Sequence, residues 1–235
     1  MSGLLTAARR AFYNANGPWI RRGVFEALGS RRYSRPALHG MDRSLEQLVP
    51  ERPGVFVEAG AHDGYTQSNT YYLERHLGWR GLLVEAVPEL YEKARRRRPR
   101  SVVTQAALVA PEDDGSDVVM QFGDLSSTLG TRDHARGGLD NAGRAPYEVT
   151  VRGRTLSGLL DESGLDRPDL IVLDVEGHEL AALRGLDFDR HAPELLVVEM
   201  LELDRQRPGF DALLGSHFRF DRKLSEWDAL YRRRT

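Results

Sequence analysis

The stretch VFVEAGAHDGYTQSNTYYLER, Val55 to Arg75, decides how the rest of the chain reads. It opens as an apolar run, acquires a carboxylate at Glu58, turns through Gly60 and Gly64, and resumes in a spacing that suits a helix. A strand that ends in a glycine turn and feeds a helix belongs to an open parallel sheet, which binds nucleotide-like ligands at its carboxyl edge. A dinucleotide fold would place G-x-G-x-x-G here, so that pyrophosphate rests on helix amides. The run is instead Glu58-Ala59-Gly60-Ala61-His62-Asp63-Gly64, with a carboxylate where the first glycine would stand.

An acid at the strand end repels diphosphate and suits a ligand carrying an ammonium group and a sulfonium centre, the description of S-adenosylmethionine. A second acid, Glu85, closes the next apolar run, Leu82-Leu83-Val84, where an adenosine ribose would offer its hydroxyls. NAD would use that acid too. Glu85 therefore points to adenosine in general, and Glu58 tilts toward the methyl donor.

Working outward, short apolar runs alternate with amphipathic segments after Pro53-Gly54, the signature of parallel strands joined by crossover helices. Strands are expected at Val55 to Ala59, Gly81 to Ala86, Ser101 to Ala107, Leu170 to Asp174 and Leu195 to Met200. Helices are expected at Ser68 to Leu77, Glu89 to Arg98, Thr155 to Asp161 and Glu179 to Leu183. Between the third and fourth strands lies a long polar insertion, Pro111 to Pro146, flanked by alternating runs at Asp117 to Phe122 and Tyr147 to Arg152 that read as edge strands. An insertion of this length near the sheet's carboxyl edge favours a functional role. Arg95 to Arg98 read as the solvated end of a helix, where arginines suit the dipole.

Residues 1–52 stand apart as an N-terminal helical extension before a domain of residues 53–235. They carry the pairs Arg9-Arg10, Arg21-Arg22 and Arg31-Arg32 among scattered apolar residues, and a short helix with Asp42 as its N-cap is expected at Asp42 to Leu48. The extension reads as a helical segment packed on the domain, with a lid or a basic helix resting on a membrane as the functional alternatives. At 235 residues and 40% hydrophobic content the chain can bury one good core. Its net charge of -2 gives no global field toward nucleic acid. With no cysteine there is no disulfide, thiolate metal site or cysteine nucleophile. No run reaches the roughly eighteen apolar residues of a membrane span, and a cytoplasmic protein without a transmembrane segment is expected.

Several motifs taken in order resemble the FkbM-type S-adenosylmethionine-dependent methyltransferases. They are Glu58 to Gly64, Ser68-Asn69-Thr70-Tyr71-Tyr72, Gly78-Trp79-Arg80-Gly81 leading into Glu85, Ser126-Ser127, Leu173-Asp174-Val175-Glu176-Gly177-His178-Glu179-Leu180, and Glu199. The resemblance spans Val55 to about Tyr231 and implies an α/β fold: a doubly wound, Rossmann-like methyltransferase sheet of seven strands, the last antiparallel. Phe218 to Phe220 and Trp227 to Tyr231 would form the final hairpin. It also implies O-methylation of a hydroxyl on a sugar or secondary metabolite. By that likeness the cofactor is held by Glu58, Gly60, Ala61, Asp63, Gly64, Ser68, Asn69, Glu85, Ala86, Ala107, Ser126 and Ser127. Ala86 stands where the family commonly has proline, and the segment before Val55 matches nothing in it.

Methyl transfer is an in-line displacement in which the acceptor hydroxyl must lose its proton. Candidate bases sit where the fourth strand ends: Asp174 and Glu176, with His178 on the following helix as an imidazole matched to neutral pH. Glu199 would end the fifth strand beside Asp174. These four side chains also admit a divalent cation chelating two substrate hydroxyls, a less favoured arrangement. Two readings from other classes stand beside the enzyme: a nicotinamide-dependent oxidoreductase and a noncatalytic adenosyl-binding module. The expected partner is a small-molecule or saccharide acceptor.

Overall fold

The computed structural model describes residues 16–123, 126–129 and 147–234, with backbone alone for 121–123 and 126–129. Helix α1 covers residues 16–27, and α2 is Met41–Leu48. The first βαβ units are β1 (Val55–Ala59), α3 (Tyr71–Leu77), β2 (Arg80–Glu85), α4 (Pro88–Arg97) and β3 (Val102–Gln105). Then come β4 (Ala107–Leu108), β5 (Asp117–Gly123), β6 (Ser126–Leu129) and β7 (Tyr147–Arg154). The second half is α5 (Leu156–Ser163), β8 (Leu170–Leu173), α6 (Glu179–Arg184), α7 (Phe188–His191), β9 (Leu195–Glu199), α8 (Leu203–Leu214), β10 (Phe218–Lys223) and β11 (Asp228–Arg233).

The main sheet has seven strands in the order β10-β11-β9-β8-β1-β2-β3. β11 runs antiparallel to both its neighbours, and the other pairings are parallel. The doubly wound sheet with one antiparallel strand, expected from the sequence, is thus the observed one. Its central strands are apolar throughout because both faces are covered. Val57, Leu82, Ile171 and Leu196 pack on one side with Leu156, Leu160, Leu183 and Leu214 of the helices. Phe56, Leu83, Val172 and Val197 pack on the other with Leu45, Leu73 and Trp79.

Several local expectations are corrected. The third strand, expected from Ser101 to Ala107, breaks at Ala106, after which Ala107 and Leu108 pair with Gly153 and Arg154 of β7 in a separate four-stranded sheet. There the chain leaves the main sheet, and alternating and continuous apolar runs cannot reveal a change of partner. Asp42 does not cap α2; Gly40, with φ +69°, precedes the helix, and Asp42 lies buried in its first turn. The arginine run is not wholly solvated. Arg95 and Arg96 are exposed, but Arg97 and Arg98 are buried and ion-paired. The flanking strands of the insertion form as β5 and β7, antiparallel to one another, but as the inner pair of the sheet β4-β7-β5-β6 and not as edge strands; residues 124–125 and 130–146 of that insertion lie outside the described residues.

Helix α1 packs on the segment that follows the glycine turn. Trp19 meets Tyr65 and Tyr71 edge-on at 5.5 and 6.1 Å, and the Arg22 guanidinium lies 3.5 Å over the Trp19 ring. Glu26 accepts hydrogen bonds from Arg22, Ser34, Tyr71 and Arg75 at 2.7 to 3.1 Å. Among the described residues no helix is long and apolar enough to cross a membrane.

Candidate functional site

The turn after β1 is shaped by contacts that only glycine permits. Gly60 has φ +81°, and a Cβ there would stand 1.8 Å from the Asp174 carbonyl oxygen. The amides of Gly60 and Ala61 donate to Val84 O at 3.0 and 3.1 Å, so the turn is stitched to β2 on one side while Asp174 crowds it on the other. Gly64, with φ +77°, lets the chain pass over α4, where a Cβ would lie 2.9 Å from Ala94 Cα. Asp63 accepts from the Tyr65 and Thr66 amides at 3.0 and 2.7 Å and from the Thr66 hydroxyl at 2.9 Å. It also pairs with Arg97. Burial works to raise the Asp63 pKa, but His62 and Arg97 beside it hold the carboxyl well below the usual range. His62 takes φ +49°, and neither of its ring nitrogens has a hydrogen-bond partner.

The two strand-end acids differ in what they hold. Glu58 is buried beneath the turn, where one oxygen accepts from the Asn69 amide at 2.6 Å and the other from the Ser68 and Thr70 hydroxyls at 2.9 and 2.6 Å. Arg98 Nη1 stands 3.4 Å away and balances its charge. These bonds use Glu58 to fold the Ser68-Asn69-Thr70 corner, and they explain why α3 starts at Tyr71 rather than at Ser68. Among the described residues Glu85 accepts from the His62 amide at 2.7 Å and the Val87 amide at 2.8 Å, one on each oxygen. A carboxylate has about four acceptor positions, so room remains for two hydroxyl donors. Burial lifts the Glu85 carboxyl to about 7, a group waiting for donors that would favour its charge. Gln105, which the sequence reading did not single out, donates to Ala86 O at 3.2 Å and shapes the floor beside Glu85.

Beyond Asp174 the edge is acidic. Asp174 follows Leu173, whose partner in β9 is Val198, so Asp174 and Glu199 stand side by side, and Asp228 of β11 is in register with Glu199. Burial, then the charge of its neighbour Asp174, raises the Glu199 carboxyl, and burial raises Asp174 as well. Glu176 sits on the loop above them at φ +54°, half-buried, and burial followed by the charges of Asp174 and Glu179 raises it to about 7. Glu179 fixes that loop, accepting from the Val175 and Gly177 amides at 3.0 Å each. His178 is the N-cap residue of α6, where its carbonyl accepts from the Ala182 amide at 2.9 Å.

The structure thus gathers Gly60, Ala61, Asp63, Gly64 and Glu85 around one turn, with Ser68 and Asn69 joined to it through Glu58 and with Asp174, Glu176 and Glu199 on the adjoining strand ends. Ala107 lies buried in β4 and pairs with Gly153. Ser126 and Ser127 lie in β6 opposite Gly123 and Phe122, and their side chains lie outside the described residues. Asp228 is not singled out by the sequence, and Arg97 and Arg98 read there as solvated although the fold buries them. For the two arginines a signal existed: with Leu90 and Ala94 they fall at i, i+4, i+7 and i+8, the buried face of α4. No group of three or more acidic or histidine side chains among the described residues is arranged to hold a metal ion.

The family model for the methyltransferase FkbM domain matches residues 58–231. Among solved structures, an FkbM methyltransferase from Methylobacillus flagellatus KT aligns with a TM-score of 0.51 and 16% identity, over 86% of this chain and 50% of that one. A TehB-like SAM-dependent methyltransferase from Corynebacterium glutamicum ATCC 13032 Kitasato aligns with a TM-score of 0.44 and 14% identity, over 94% and 98%. The chain therefore spans half the length of its FkbM structural neighbour. No curated protein sequence matches it. With the match running from Glu58 at the end of β1 to Tyr231 in β11, across the turn and the acidic edge, the chain belongs to the FkbM methyltransferase family.

Proposed function

We propose that the chain is an S-adenosylmethionine-dependent O-methyltransferase acting on a hydroxyl of a sugar or secondary metabolite, with Glu176 as the general base. One observation carries this reading. The cofactor turn at Gly60 and the strand end at Asp174 touch, so a ligand seated on the turn meets the loop bearing a carboxyl whose pKa is about 7.

S-adenosylmethionine, when bound, supplies an electrophilic methyl group on a sulfonium centre. The Gly60 to Gly64 turn offers backbone free of side chains to the methionine portion, and Glu85 accepts from the ribose hydroxyls through its remaining lone pairs. Glu58 holds Ser68 and Asn69 in place from beneath rather than meeting the ammonium group itself. The attraction for a cationic ligand then comes from the acidic edge formed by Asp174, Glu199 and Glu176. Orientation of two reactants in such a crevice contributes as much as about 7–11 kcal/mol. Glu176 takes the acceptor proton, a contribution of ~10²- to 10⁴-fold that is largest when the base titrates near the working pH. His178 and Asp174 lie close enough in sequence to orient the same hydroxyl. The same reading assigns the reaction to the cytoplasm, where the methyl donor is made, and requires no metal; activity should survive a chelator.

Calorimetric titration with S-adenosylhomocysteine and with NADH is the first test: binding of NADH alone would end the reading. The second is mass-spectrometric detection of methyl transfer to a panel of hydroxylated acceptors. A protein that binds the homocysteine product yet methylates none of them is a binding module. Glu176→Gln should lower turnover by on the order of 10²-fold while cofactor affinity stays within a few fold; unchanged turnover would remove Glu176 as the base.

A further inference from the structure

Helix α1 buries an ion pair beside Trp19 and leaves an aliphatic arc exposed. A surface helix normally buries its apolar stripe and turns its charges to solvent. Here the charged residues Arg22 and Glu26 face the domain, with Arg22 9% exposed and bonded to Glu26 at 2.7 Å. The opposite arc, at 100° per residue, is made of Gly17, Ile20, Val24 and Ala27, with Leu28 in the turn that follows, and carries no charge. Ile20, Val24 and Leu28 are 42%, 53% and 78% exposed. Arg21 borders this arc one step round the helix; Arg21 and Arg32 are exposed and lie over the Tyr33 ring at 4.2 and 5.5 Å, whereas Arg31 donates to the Tyr72 hydroxyl at 3.2 Å on the domain side. Residues 1–41 contain seven arginines and one acid, Glu26, a formal +6 in a chain whose total is -2.

We propose that this face docks on the surface of an anionic phospholipid bilayer. The helix lies in the plane of the interface, with Ile20, Val24 and the following Leu28 in the acyl boundary and Arg21 and Arg32 among the headgroup phosphates. An apolar arc rimmed by cations is the pattern of an interfacial helix. A nucleic acid would use the arginines and leave the aliphatic side chains in water. A second copy would bring two strongly cationic segments together across a symmetric interface, where like charges oppose association. Three aliphatic side chains give a weak, reversible attachment rather than a permanent anchor.

The test is co-sedimentation of the full chain with vesicles of phosphatidylcholine alone and of phosphatidylcholine mixed with phosphatidylglycerol, and it requires no methyl transfer. The protein should sediment with the mixed vesicles, remain in solution with the neutral ones, and be released by salt. The variant V24S/L28S changes only solvent-facing side chains and should lower the partition by about tenfold. R21E/R32E should lower it on the order of a hundredfold, with thermal melts to show that each variant is folded. Absence of wild-type sedimentation with anionic vesicles at low salt overturns the proposal. So does equal binding by V24S/L28S, or a wild-type dimer that this variant converts to monomer.

Discussion

Glu85 shows how one residue can be read correctly in position and incompletely in state. Its place after Leu82-Leu83-Val84 announces a strand-end acid. Its ionisation depends on burial and on the two amides that the tertiary fold brings to it. With a folded pKa of about 7 against an unfolded value of 4.5, the native state holds a proton that the unfolded chain has released. Glu85 therefore contributes stability that is fully present below pH 4.5 and lost as the pH rises through about 7. Glu85→Gln should remove that slope, leaving the cofactor-free protein more stable than wild type at pH 8, by at most about 3 kcal/mol. Denaturant titrations across this range measure the difference. An unchanged pH dependence would mean that Glu85 is not the titrating group. The same variant should bind S-adenosylhomocysteine more weakly, because an amide accepts fewer hydrogen bonds from a diol.

At the scale of elements, α4 is tied to the turn by its last two arginines. Arg98 has no exposed side-chain surface and reaches Glu74 at 2.8 Å, Thr70 at 2.9 Å and Glu58 at 3.4 Å. Helix α3, strand β1 and helix α4 thus share one buried cation. Arg98→Leu would strand two buried carboxylates, and such a loss costs about 3–5 kcal/mol. Urea denaturation should register it. Glu74→Gln on the Arg98→Leu background should restore part of the stability, since it removes one unpaired charge. Additive losses would show that the two side chains are not coupled. The motif Ser68-Asn69-Thr70 is conspicuous in the sequence, yet the cation that locks it comes from residue 98, a pairing that spans 28 residues between Thr70 and Arg98. Helical spacing places Arg98 on the inner face of α4, and nothing local says which carboxylate it meets.

For the whole molecule, the question is how residues 16–52 belong to the domain. Trp19, Arg22 and Glu26 enter one aromatic and ionic cluster with Tyr65, Tyr71 and Arg75. Arg97 joins this cluster to the cofactor turn, since it pairs with Asp63, bonds Asn16 at 3.2 Å and lies 4.9 Å over Trp19. Trp19→Ala should cost roughly 2–3 kcal/mol, below the 3–5 of a fully buried tryptophan, and the unfolding transition should stay single with an unchanged m-value. An early separate transition would instead mark the extension as an independently melting unit. The arrangement also shows why α1 was the least legible segment. Its aliphatic residues suggest burial, whereas the structure buries its charges and exposes Ile20, Val24 and Leu28.

The sequence by itself determined the sheet. Continuous apolar runs at β1, β2, β8 and β9 require a layer covered on both faces, and the glycine turn after β1 follows from local sterics that any fold must obey. Only the tertiary structure decided what each acid does. Glu58 is saturated by Ser68, Asn69, Thr70 and Arg98, Glu85 accepts from the His62 and Val87 amides, and Glu199 is raised by burial and by the charge of Asp174 beside it. A backbone pattern repeats over a few residues and can be read along the chain. The charge state and bonding of a carboxyl group depend on neighbours and burial that arrive from distant segments, and these exist only once the chain has folded.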